Sequence, residues 1–206
     1  MANRVLLIRH AESAAPHVFH GAESDIGLSE RGMKQALALA PIVAAFKPHR
    51  LVSSGMRRAQ DTARPIARIC GLPLLIEPDL HERRIGALSG TPNGAKDGIW
   101  RETLAHWIDG RTDYAPEGSE SYDEIRQRVV PIWEKLTRPP SQETLVIVAH
   151  GVVCKVLLLS MVSGLGPANW KSLGPIANAG ITELQRIDFA WSIIRLNEVS
   201  VELSEI

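Results

Sequence analysis

Short apolar runs alternate with longer amphipathic stretches along the chain. Residues 5–8 are uniformly apolar, the pattern of a strand buried on both faces, and the run stops abruptly at Arg9 and His10. After a turn at 25–28, Ser29 is a fair N-cap for a helix from residue 30 to about 45, which Pro41 should kink or divide. Leu51 and Val52 form the heart of a second short strand. Ser53, Ser54 and Gly55 lead from it into a helix over 57–70, stopped by Gly71. Residues 74–76 read as a third strand. Ser121 and Glu124 make a capping box that opens a helix to about Thr137, ended by Pro139 and Pro140. Residues 145–149 are the clearest strand; His150 and Gly151 follow at once, then a helix over 152–162. Strands near 181–186 and 191–196 close the pattern.

Strands alternating with helices predict an α/β fold, a three-layer α/β/α sandwich around a mainly parallel sheet. Residues 86–120 break the alternation. They are rich in Gly, Pro and Trp with one short helix near 99–108, and read as a lid-like insertion in a single domain over 1–206. Ligands of such sheets bind beyond the carboxyl ends of the strands. His10 and His150 lie just past the two most convincing strands, and Ser53 and Ser54 end a third. These groups can therefore converge on one site.

Composition narrows the partners. The 206 residues are 45% hydrophobic and 22% charged, ordinary for a globular protein. Lys plus Arg (23) cancels Asp plus Glu (23), so no global positive field exists to hold nucleic acid or an anionic membrane. Affinity for an anion must come from a local cluster. Cys70 and Cys154 form neither a disulfide framework nor a metal-ligand spacing, so reduced thiols are expected. The first apolar run is too short for a signal-peptide core, and the apolar stretch 152–165 is interrupted by Lys155. A cytoplasmic protein is the expectation. The sequence carries no signature that would set an oligomeric state.

Metal-free phosphoryl transfer needs a nucleophile, fixed cations for the phosphoryl oxygens and an acid for the leaving group. Imidazole is a competent nucleophile when one ring nitrogen is unprotonated. Arginine is the best clamp, because its planar fork matches phosphate oxygens and keeps its charge. Arg9 and His10 place a clamp and a nucleophile side by side. Alone, a histidine at a strand end is a weak signal.

The longer pattern is specific. Leu7-Ile8-Arg9-His10-Ala11-Glu12-Ser13 resembles the opening motif of the histidine phosphatase superfamily, which includes the cofactor-dependent phosphoglycerate mutases. Leu28-Ser29-Glu30-Arg31-Gly32 resembles its second block, and Ser53-Ser54-Gly55-Met56-Arg57-Arg58-Ala59-Gln60-Asp61-Thr62-Ala63 its third. Leu80-His81-Glu82-Arg83 with Gly86 is similar to the block that carries the acidic proton donor. Val148-Ala149-His150-Gly151 is similar to that of the second catalytic histidine, and Asn178-Ala179-Gly180-Ile181-Thr182 to the closing strand. The likeness covers about residues 5 to 184, in order.

What the resemblance implies is a metal-independent phosphatase of small phosphate monoesters, of the histidine acid phosphatase type, needing no cofactor. His10 would take the phosphoryl group. Arg9, Arg58 and His150 would surround its oxygens, with Ser13 and Gly151 as further phosphate contacts, and Glu82 would act as acid and then base. Positive neighbours would keep the His10 ring neutral, and the helix after His150 would add a partial positive charge. The register of the third block favours Arg58 over Arg57 as the clamp. Glu12 reads as bracing the loop or orienting a histidine, Ser53 and Ser119 as capping or solvated, and Asn178 as structural or histidine-orienting. His17, His20 and Glu23 have metal-like spacing but lie in a loop, so a solvated or substrate-facing role is expected. The five tryptophans read as core and lid packing.

Two positions depart from the family. Ala11 stands where glycine is usual, and Pro16 where an asparagine commonly contacts phosphate or substrate. Together with the short length, this favours a phosphatase over a mutase, while the insertion cations Lys96, Arg101 and Arg111 favour neither. A mutase with a water-excluding lid, a non-catalytic binding protein on the same fold and a metal-dependent hydrolase are the alternatives.

Overall fold

The computed structural model describes residues 3–94, 97–138 and 142–200. Lys96, Pro139 and Pro140 lie outside them. Six strands form one sheet: β1 (Arg4–Arg9), β2 (Arg50–Ser54), β3 (Leu74–Glu77), β4 (Thr144–Ala149), β5 (Ile181–Ile187) and β6 (Ala190–Glu198), in the order β3-β2-β4-β1-β5-β6. The first four in that order run parallel; β5 is antiparallel to both β1 and β6. The helices are α1 (Glu30–Ala44), α2 (Arg57–Cys70), α3 (Asp97–Ile108), α4 (Tyr122–Thr137) and α5 (Gly151–Met161).

Successive strand residues point to opposite faces, so each central strand feeds two cores. Leu6, Ile8, Leu51, Val146 and Val148 pack with Leu39 and Val43 of α1 and Ala63 and Ile66 of α2. Val5, Leu7, Leu145 and Ile147 pack on the other face with Ile125 and Val129 of α4 and Val153 and Leu157 of α5. Burying both faces explains the unbroken apolar runs in β1 and β4. α5 is buried from Val153 to Leu159, including Lys155.

Local signals hold the elements in place. Ser29 Oγ accepts from the Gly32 amide at 2.9 Å, and Ser121 and Glu124 close a complete capping box. Each such cap contributes about 1 kcal/mol. Gly71 ends α2 in the left-handed region at φ 64°. Pro41 does not divide α1, contrary to the sequence expectation. It falls in the last turn beside the 61% exposed Leu37, so water can reach the carbonyl that loses its partner.

Between β1 and β4 the connections leave in opposite directions, through α1 on one face and α5 on the other. This switch point opens a crevice at the carboxyl ends of the two strands. Residues 86–94 and 97–120 contribute Leu88, Asn93, Gly94, Trp100 and Arg101 to its wall. An isolated bridge between Ile85 and Ser119 closes their stem, and Trp107 of α3 packs into the α4–α5 core.

Candidate active site

Sheet register brings the two histidines together. β1 and β4 pair in parallel with Arg9 opposite Ala149, so the next residues, His10 and His150, leave the sheet side by side. Their ring centroids are 5.1 Å apart. The His10 amide donates to the Ala149 carbonyl at 2.9 Å, and Asn178 Nδ2 donates to the His10 carbonyl at 2.9 Å. Both fix the backbone from which the ring projects.

The ring itself is oriented. His10 Nδ1 lies 2.7 Å from the carbonyl of Ala11. A carbonyl only accepts, so Nδ1 carries the proton and the lone pair of the neutral ring is on Nε2. Burial, then Arg9 and Arg58, hold the His10 pKa well below its ordinary value of 6.5. The imidazole is therefore neutral and nucleophilic near neutrality. Ala11 carries no penalty where glycine is usual, because its φ is not positive. Its amide donates to Thr62 Oγ1 at 2.9 Å.

His150 is fully buried, and burial followed by Arg58 and His10 likewise pulls its pKa well below 6.5. Its Nε2 is 2.9 Å from Ser54 Oγ, and that oxygen also accepts from the Met56 amide at 3.2 Å. With a lone pair so occupied, the hydroxyl can donate to Nε2. The ring proton then falls on Nδ1, a buried atom with no hydrogen-bond partner.

Backbone carbonyls aim the arginines. Arg9 Nη1 donates to Ile176 O at 2.5 Å; Arg58 Nη1 and Nη2 donate to Ser24 O (2.7 Å) and Gly21 O (3.4 Å). The Nε of each is buried without a partner. Neither forms a carboxylate ion pair among the described residues, so both charges stay available to an anion. Glu82 is 8% exposed. Its Oε1 accepts from the Arg83 amide (2.8 Å) and its Oε2 from the Val152 amide (3.3 Å) in the first turn of α5.

A cavity of about 770 Å³ opens above these groups, lined by Arg9, His10, Ser13 and Glu82. Arg58 and His150 stand behind this wall and do not line it. Gly151 lines a smaller neighbouring cavity of about 470 Å³ that shares Arg9 and Glu82. Pro16 lines the main cavity with no donor of its own; its carbonyl accepts from Asn93 Nδ2 at 3.0 Å.

Other residues have structural partners. Arg57 is exposed and lies 3.9 Å from Asp61. Glu12 braces the loop, accepting from Ser29 Oγ (2.8 Å) and Arg31 Nη1 (2.9 Å). This packing needs Gly32, where a Cβ would fall 2.0 Å from the Glu12 carbonyl. Ser53 Oγ donates to the Ser54 carbonyl, and Ser119 Oγ is buried. His20 lines the cavity and bonds Ala15 O and Ser24 Oγ; Glu23 accepts from the Ile85 and Gly86 amides. Trp100, Trp107 and Trp170 form an edge-to-face cluster, and Trp133 meets Trp191. Arg101 lines the cavity and Arg111 is an exposed neighbour of Asp109.

Sequence reasoning did not single out Arg83 or the pairing of Ser54 with His150. Arg83 entered only as part of the block that carries Glu82, yet it is 1% exposed and lines the cavity. The nearest signal was the tryptophan-rich segment that follows it.

A three-layer α/β fold thus carries, at its switch point, a neutral oriented imidazole ringed by cations and faced by a carboxylate. The chain belongs to the histidine phosphatase superfamily (branch 1), whose sequence profile matches residues 5–199. It is 32% identical over 204 residues to a metal-independent phosphoserine phosphatase of Arabidopsis thaliana, covering 95% of this chain and 82% of that one. It is 30% identical over 193 residues to a glucosyl-3-phosphoglycerate phosphatase of Mycobacterium tuberculosis, covering 89% and 85%. The solved complex of a mycobacterial glucosyl-3-phosphoglycerate phosphatase with inorganic phosphate superposes with a TM-score of 0.83. That match has 29% identity and covers 97% of this chain and 100% of that one.

Proposed function

We propose that the protein is a metal-independent phosphatase of small phosphate monoesters, of the histidine acid phosphatase type, working through a phosphohistidine on His10. The observation that carries this reading is the ring of His10: buried, neutral, with Nδ1 tied to Ala11 and Nε2 left as the nucleophile beside Arg9 and Glu82. Names given to relatives support it: two are phosphatases of phosphorylated small molecules.

The ester phosphate docks against Arg9, with Arg58 and His150 drawn toward its oxygens and Ser13 and Gly151 at its margin. The Nε2 lone pair attacks phosphorus in line, and the bond from phosphorus to the ester oxygen breaks. Glu82, in its acid form, gives its proton to that oxygen, so a neutral alcohol departs. The Nδ1–H bond to Ala11 O supports the positive charge of the phosphorylated ring. Water then gives a proton to the Glu82 carboxylate and attacks phosphorus; the P–N electron pair returns to Nε2 and inorganic phosphate leaves. The α5 N-terminus, the two arginines and the Nδ1–H of the neutral His150 ring meet charge that grows in both transition states. Residues 86–94 and 97–120 cover the leaving-group end as a lid within one domain. No helix among the described residues is long and apolar enough to cross a membrane. The free thiols of Cys70 and Cys154 fit a cytoplasmic setting.

The test is phosphate release from a panel of monoesters, p-nitrophenyl phosphate included, in excess chelator. Release by the wild type and its loss in His10→Ala are expected. Loss of wild-type activity in chelator, or turnover by the variant, overturns the reading.

A further inference from the structure

Residues 175–180 are neither helix nor strand, yet they hold the two residues at the end of β1. Ile176 O accepts from Arg9 Nη1 at 2.5 Å. Asn178 Nδ2 donates to the His10 carbonyl at 2.9 Å, the Ala179 amide donates to the Arg9 carbonyl at 3.1 Å, and Gly180 O accepts from the Arg9 amide at 3.3 Å. A side chain from the edge strand, two strands away from β1, grips this loop. Asn197 of β6 accepts from the Ala177 amide at Oδ1 (2.7 Å) and donates from Nδ2 to the Pro175 carbonyl (2.8 Å). Pro175 and Ala177 flank Ile176, so the clamp closes around the carbonyl that aims Arg9. The local path of β6 delivers it. Between the pairs Ile181–Glu198 and Glu183–Arg195, two steps along β5 match three along β6. Such a bulge re-aims a side chain out of the regular ladder. The φ of Asn197 is 52°, a left-handed conformation that asparagine tolerates better than most residues, and its amide donates to Thr182 Oγ1 at 3.0 Å. Gly180 makes room for it: a Cβ there would fall 2.4 Å from Asn197 Oδ1.

We propose that Asn197 is a positioning residue for phosphoryl transfer: it sets the pose of the Arg9 guanidinium, and so the alignment of phosphorus with His10 Nε2. This rests on the phosphatase reading above. Asn197 lines neither cavity, so its effect on the reaction passes through the loop to Arg9 and His10. Arg9 keeps its charge for an anion because a main-chain carbonyl, not a carboxylate, holds it. A carbonyl in a loop aims a guanidinium only as well as the loop itself is held. Two hydrogen bonds, one on either side of Ile176, fix that carbonyl. Without them Arg9 keeps its charge and loses its aim, and a misplacement of about 1 Å at a reacting centre can cost about 10²-fold in rate.

Asn197→Gly keeps the left-handed backbone and removes both clamp bonds. On p-nitrophenyl phosphate it should lower kcat by about tenfold to a hundredfold. In an Arg9→Ala background the same substitution should cost less than about twofold, because the group that Asn197 aims is gone. A folded Asn197→Gly with wild-type kcat overturns the proposal. A loss of equal size in both backgrounds marks a merely structural asparagine and also overturns it. A measurement on the wild type needs no variant to fold. Coupling between two sites is reciprocal, so vanadate bound at Arg9 should slow hydrogen exchange of the Ala177 amide by about fivefold or more. An exchange rate unchanged by saturating vanadate contradicts the proposal. The two readings fail differently. Absence of wild-type turnover removes the phosphatase reading and this proposal with it, whereas turnover that is indifferent to Asn197 removes this proposal alone.

Discussion

The floor and the roof of the cleft are made by different means. On the floor, Arg9, His10 and His150 project from the carboxyl ends of adjacent strands, and Arg58 from the first turn of α2. Main-chain groups or short side chains fix each of them: Ile176 O, Ala11 O, Ser54 Oγ and Ser24 O. On the roof, Arg83 and Trp100 are placed by side-chain stacking within and beside a segment whose own anchor is Trp107. A floor of strand ends cannot shift without breaking the sheet, which suits a reaction common to many esters. A roof of stacked side chains can be re-lined by a few substitutions, which suits selection among leaving groups.

The comparison breaks if floor substitutions are selective or roof substitutions are general. His10→Ala should have the largest effect, lowering kcat on every substrate by roughly 10⁴-fold or more, as loss of a nucleophile does. Arg58→Ala should cost roughly 2.7–4 kcal/mol of barrier, about 10²–10³-fold in kcat, uniformly across esters. Glu82→Gln should cost about 10²–10⁴-fold on alkyl esters and much less on p-nitrophenyl phosphate, whose leaving group needs no proton. Equal losses on the two kinds of ester would remove Glu82 from its role as acid. Ser54→Ala should have the smallest effect, about tenfold in kcat from one lost hydrogen bond, with Ser54→Thr restoring most of it.

Acid sharpens the contrast from another side. The folded pKa values of His10 and His150 are both depressed below 6.5, mainly by burial. Below that value the unfolded chain takes up protons that the folded protein refuses. The stability they contribute is complete above the unfolded value and is lost progressively as pH falls toward the folded ones. Thermal unfolding from pH 7 to 5 should show this loss, and His150→Gln should lessen it. The acid limb of kcat/KM should fall well below 6.5 for the same reason.

Much of the floor was legible in the sequence because its determinants are local. An apolar run that ends on Arg9 and His10, or on His150 and Gly151, marks a strand end and what it presents. Ser29, Gly71 and Ser121 announce helix boundaries through caps that need no distant partner. Pro41 misled because its cost depends on whether the orphaned carbonyl meets water, which is a property of the packed helix. Arg83 was hidden for a similar reason. Its burial is produced by Trp100 and Trp107, many residues further on, and nothing in the local Arg83-Arg84 pair distinguishes a core cation from a solvated one. The contact of Ser54 with His150 depends on β2 pairing with β4, a register that only the assembled sheet defines.

The most direct test of the central claim is to trap the phosphoenzyme. The protein is mixed with p-nitrophenyl phosphate in chelator, quenched during turnover and mapped by mass spectrometry under conditions that preserve phosphoramidates. One phosphoryl group on the peptide containing His10, absent from His10→Ala, is the predicted result. Turnover with no labelled protein at any quench time, or a label on another residue, would contradict the account.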